Sequence, residues 1–113
     1  MKIITEPTSL NELWLIREIK FEDMMKMVVD IGQEIIAVDA ELHADLEALM
    51  LEHGSSQYNL WGINIYPDQS DETFIEFTAL INIRPSQNNR SMEVEDPETR
   101  NKIREICKRL LQK

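Results

Sequence analysis

The chain of 113 residues is poor in cysteine, glycine and positive charge. Its one cysteine, Cys107, rules out an internal disulfide and, within one chain, a cysteine metal cluster or redox pair. That scarcity points to a reducing, cytoplasmic home. The three glycines, Gly32, Gly54 and Gly62, stand apart from one another, so no glycine-rich loop exists to cradle a phosphate. Nucleophile-elbow and metal-motif spacings are missing as well, and neither a cofactor nor a metal is expected. Twelve Lys and Arg face 21 Asp and Glu, a net charge of −9. Such a surface repels nucleic-acid phosphates and anionic lipids. The basic residues gather only in "RNKIREICKRLLQK", so nucleic acid is not an expected partner. No apolar run approaches the roughly 20 residues needed to span a bilayer. The opening "MKIITEP" meets proline at position 7, which does not suit a signal peptide. No membrane association is expected.

What is present is dense local patterning. The length suggests a single domain, residues 1–113, with one core. "KIIT" is a short strand, expected at an edge. In "SLNELWLIREIK", Ser9 and Glu12 form a capping box that opens a helix of about three turns. Leu10, Leu13, Trp14 and the stem of Arg17 form its inward stripe.

The segment "FEDMMKMVVDIGQEIIAVDAE" makes sense as a hairpin about Gly32-Gln33. Paired positions then sum to 65, so that Val29 faces Ile36 and Met27 faces Val38 on an apolar side. Val28 faces Ala37 and Lys26 faces Asp39 on the other, an opposite-charge pair. A helix follows over residues 41–53, with Gly54 as its stop. Leu42, Leu46, Leu49, Met50 and His53 lie along one face.

A second, longer hairpin centres near Gln69-Ser70. It pairs Ile65 with Ile75, Ile63 with Phe77 and Trp61 with Ala79, and Ile81 and Ile83 continue the apolar face. The opposite face, expected to be half wet, carries Leu60, Gly62, Asn64, Glu76, Thr78, Leu80, Asn82 and Arg84. The acidic tip "PDQSDET" discourages edge-to-edge pairing. The last helix opens at "DPE", with Asp96 as N-cap and Pro97 in the first helical position. Ile103, Ile106, Cys107, Leu110 and Leu111 form its buried stripe. The order β-α-β-β-α-β-β-α predicts an α+β two-layer sandwich, a mainly antiparallel sheet of about five strands covered by three helices.

The stretches "VVDIGQEIIAVDAELHADLEALMLEHGS", "NLWGINIYP" and "INIRPSQNNRSMEVEDPETRNKI" resemble a small family of bacterial and archaeal proteins described only as a domain of unknown function. The resemblance runs from about residue 2 to 112, and "ELHADxE" and "INIRPSQxNRS" are its most specific parts. It implies a free-standing protein and carries no activity, cofactor or substrate.

Two stretches are candidates for chemistry. In the loop of residues 82–91, Asn82, Arg84, Ser86, Asn89 and Arg90 combine two guanidinium forks with neutral donors. That set suits a planar anion, so an anionic small molecule or acidic peptide end is the expected ligand. The competing reading pairs Arg84 and Arg90 with the chain's own Glu76, Glu93, Glu95 or Asp96. In "ELHADLE", His43 and Glu47 are helix neighbours four residues apart. His43 is the candidate general base of an alternative reading, a hydrolase or lyase of small substrates. If His43 turns to the sheet, Asp39 is its expected partner. Two such groups do not make a zinc site. A third reading takes the half-apolar sheet face as an interaction or homodimer surface.

Overall fold

The computed structural model describes residues 1–113. Its main sheet has five strands in the order β1-β4-β3-β5-β6, all neighbours antiparallel. These are β1 (Lys2–Ile4), β3 (Met25–Asp30), β4 (Ile35–Val38), β5 (Leu60–Ile65) and β6 (Ile75–Glu76). A two-stranded parallel ribbon, β2 (Thr8–Ser9) with β7 (Leu111–Gln112), ties the first helix to the end of the last. The helices are α1 (Leu10–Ile16), α2 (His43–Glu52) and α3 (Pro97–Leu110). No helix is long and apolar enough to cross a membrane.

The local signals act where they stand. The Ser9 hydroxyl accepts the Glu12 amide at 3.2 Å and starts α1. Asp96 accepts the Glu98 amide at 3.2 Å and Pro97 follows it into α3. Gly54 takes φ 100° beyond α2, a conformation open to glycine. The first hairpin has the expected register, with Met27 opposite Val38 and Val28 opposite Ala37. Asp30 sets its turn by accepting the amides of Gly32 and Gln33 at 2.8 and 2.9 Å.

The α+β class and the five-stranded antiparallel sheet are as the sequence indicates, but the helices divide between the two faces. Leu10 and Leu13 of α1 and Ile103, Ile106, Cys107 and Leu110 of α3 pack on Met27, Val29, Ile36, Val38, Trp61 and Ile63. On the other face, Leu46 and Met50 of α2 pack on Val28, Ala37 and Leu60. The result is helix, sheet, helix rather than two layers. The face expected to be half wet is therefore closed, and Val28, Ala37 and Leu60 are fully buried. Those three side chains are not available to a partner. Leu42 and His53 lie outside the α2 contact and are exposed, in contrast to the expected stripe.

Two further expectations are corrected. Lys26 and Asp39 do not pair: Lys26 donates to the Glu41 carbonyl at 2.9 Å, while Asp39 accepts the amides of Glu18 and Ile19. Asp39 takes φ 72°, which ends the strand's alternation there. The second hairpin keeps the predicted register at Asn64–Glu76 and Ile65–Ile75 and then stops. Beyond Glu76 the chain leaves β5, and Thr78 bridges Glu93 instead. Residues Leu80–Asn82 and Pro85–Gln87 form single 3-10 turns. Ile63–Phe77 and Trp61–Ala79 are thus not strand pairs.

Candidate functional site

The stretch after β6 inverts the polarity its sequence suggests. Asn82 is fully buried and Arg84 is 8% exposed, while Leu80 is 71% exposed and Ile83 44%. A period of two holds only for extended backbone, and the turn at Leu80–Asn82 breaks it. Asn82 instead fills the open side of β5. Its Oδ1 accepts the Gly62 amide at 2.8 Å, and its Nδ2 donates to the Gly62 carbonyl at 3.0 Å and to the Met92 carbonyl at 3.0 Å. Arg84 donates to the carbonyls of Leu60, Gln57 (2.8 Å) and Ile81 (3.0 Å), and its guanidinium lies 4.7 Å from the centre of the Trp61 ring. Its nearest acid is Glu47 at 3.8 Å, not any of the four acids expected. Burial lowers the pKa of Arg84, and Glu47 offsets part of that. Asn89 donates to the carbonyls of Asn82 and Glu93, both at 2.7 Å, and accepts the Glu95 amide at 2.9 Å.

An anion at this loop would therefore have to displace the protein's own carbonyls from Asn82, Arg84 and Asn89. Ser86 and Arg90 are exposed, and Arg90 is the one guanidinium left for an external anion. Its setting is unfavourable to negative charge. Glu95 accepts the backbone amides of Arg90 and Ser91 and the Ser91 hydroxyl, and these hydrogen bonds hold its carboxyl below the usual range. The adjoining cavity of about 410 Å³ is lined by Asn89 together with Glu95 and Asp96.

His43 turns toward the sheet. Its Nε2–H donates to the Ile63 carbonyl at 2.8 Å, so Asp39 is not its partner and Glu47 turns away to Arg84. The missing side chain of Gly62 makes this possible, since a Cβ there would lie 3.2 Å from the His43 ring. Burial lowers the His43 pKa, partly countered by the bond to Ile63. Neither His43 nor Arg84 lines the cavity beside Asn89.

A groove of about 1080 Å³ lies along the β6 edge. Asp23, Asp71, Glu72, Glu76 and Glu93 line it, against Arg100 and Arg104. Glu76 is held from β5: its Oε1 accepts the Asn64 amide at 2.7 Å and the Tyr66 hydroxyl at 3.1 Å. Burial and the bond to Glu76 raise the Tyr66 pKa. Arg100 and Arg104, one turn apart on α3, lie 4.8 and 5.0 Å from the centre of the Phe77 ring. Arg100 pairs with Glu93 at 3.7 Å. Asp23, Asp71, Glu72 and Glu76 have no cationic partner in the protein.

Residues 2–110 match the model of a family described as protein of unknown function (DUF5674). The chain belongs to DUF5674. No curated protein and no solved structure matches it. The groove of this DUF5674 protein was not anticipated from its sequence. Two signals for it are there: Arg100 and Arg104 at helical spacing, and the acidic tip "PDQSDET".

Proposed function

We propose that this DUF5674 protein is a binding protein whose ligand carries positive charge and lies in the groove along β6. The observation that carries this reading is the contrast in engagement between acids and bases. The buried arginine of the 82–91 loop spends its donors on backbone carbonyls. Asp23, Asp71, Glu72 and Glu76 share the groove with Arg100 and Arg104, yet none of the four is ion-paired within the protein. Glu76 is held in place by Asn64 and Tyr66 through one oxygen, which leaves Oε2 free of protein donors. Preorganised carboxylates lower the cost of binding an ammonium or guanidinium group. Two further features fit a binding role: a ligand pocket is commonly a large cleft, and the net charge of −9 steers cations toward it.

An NMR titration with spermine tests the reading. Amide shifts are expected at Tyr66, Glu76 and Phe77, weakening as salt is raised. The double variant Asp23→Lys/Glu72→Lys changes two exposed positions and should lose at least about tenfold in affinity with its fold intact. If spermine leaves the groove unmoved while inorganic phosphate shifts Ser86, Asn89 and Arg90, the ligand is an anion at the loop.

A further inference from the structure

The acidic groove continues into a second cavity of different chemistry. Asp71, Ile75 and Arg104 line both, and the second, of about 330 Å³, is completed by the apolar side chains of Phe74, Cys107 and Leu111 with Lys108, Gln112 and Lys113 at its rim. Acidic and apolar surface therefore meet without a break. The junction already takes an ammonium group. The Lys113 Nζ donates to the Gln69 carbonyl at 2.9 Å and lies 4.1 Å from the centre of the Phe74 ring. Gln69 is itself a lining residue of the groove.

We propose that the ligand of the groove is a basic peptide segment that sets one apolar side chain, of leucine or methionine size, in the smaller cavity. Its Lys or Arg side chains lie against Glu76, Glu72 and Asp23. The proposal rests on the cationic reading above and narrows it. Two observations favour a peptide over a small polyamine. A polyamine has no apolar branch for the Phe74, Cys107 and Leu111 cavity. It also has no acceptor for the Arg104 guanidinium over Phe77, whereas a peptide backbone presents carbonyl groups to it.

Fluorescence anisotropy on the full chain tests this. The probes are a short labelled lysine peptide containing one leucine and the same peptide with serine in its place, with spermine as competitor. The leucine peptide is expected to bind at least about tenfold more tightly, because the serine peptide leaves the apolar cavity unfilled. The methyl resonances of Ile75 and Leu111 should shift with the leucine peptide alone, and Glu72→Lys should weaken both peptides. Equal affinity of the two peptides, or a leucine preference without those methyl shifts, overturns the peptide assignment and leaves the cationic reading standing. Failure of both peptides and of spermine to bind removes the cationic reading itself.

Discussion

The carboxamide of Asn82 pairs with both backbone groups of Gly62, accepting from its N–H at 2.8 Å and donating to its carbonyl at 3.0 Å. A side chain thus does the work of a neighbouring strand at the point where the second hairpin has parted. The Leu60 carbonyl, two residues back, is met in the same way by Arg84. The edge of β5 left open by the departure of β6 is closed by polar side chains of the loop that follows. This explains why an acidic protein concentrates amides and arginine there.

Asn82→Ala removes those partners from buried backbone groups. A loss of about 3 kcal/mol in unfolding free energy is expected, from several buried groups left unpaired. Urea denaturation measures it. A loss below about 0.5 kcal/mol would mean that the Gly62 groups find other partners.

Gly62→Ala places a Cβ 2.5 Å from that of Ala79 and 3.1 Å from Ile81 Cγ1. Strand propensity alone would favour alanine, so a destabilisation of about 1–3 kcal/mol isolates the steric contact. The double variant Gly62→Ala/Ala79→Gly should recover part of the loss in thermal melts. No recovery would place the strain at Ile81 or His43 instead.

Arg84→Lys keeps the charge and loses the fork that reaches three carbonyls. It should cost about 2 kcal/mol of stability, read from chemical denaturation. Affinity for a groove ligand should be unchanged, since Arg84 does not line that cavity.

Burial lowers the His43 pKa below 6.5. As pH falls, the unfolded chain therefore takes up this proton before the folded one does. The stability tied to neutral His43 is complete above about pH 6.5 and is lost progressively as pH drops through that value toward the lower folded pKa. His43→Gln keeps a side-chain donor and removes the titration. Its unfolding free energy should fall less than that of the unaltered protein between pH 7 and pH 5. Parallel profiles would show that His43 titrates normally.

Burial pushes the Cys107 thiol up to about 12. A thiol-reactive dye at pH 8 should therefore label the protein only at the rate at which it opens, and the rate should rise with urea along the unfolding curve. Fast labelling of the native state would mean that α3 is not seated as described.

Much of the fold was written locally. Ser9 with Glu12, and Asp96 with Pro97, mark helix starts because a cap acts on amides only two or three residues away. The register of the first hairpin follows from alternation on both sides of Asp30 and its turn, again a matter of near neighbours. The sequence by itself thus determined the class, the starts of the first and last helices, the register of the first hairpin, the start of the second and the burial of Cys107, while α1 ends after seven residues rather than three turns. The tertiary structure decided the rest. Whether a face of the sheet is wet depends on which side α2 crosses, a relation between distant segments. Asn82 and Arg84 turned inward because Gly62 let Ala79 and His43 approach and left backbone groups of β5 to be met. A buried donor or acceptor must find a partner wherever the chain supplies one, and no alternation rule states where that will be. The groove is of the same kind, since Asp23, Glu76 and Arg104 meet only when three separate segments of the chain have packed.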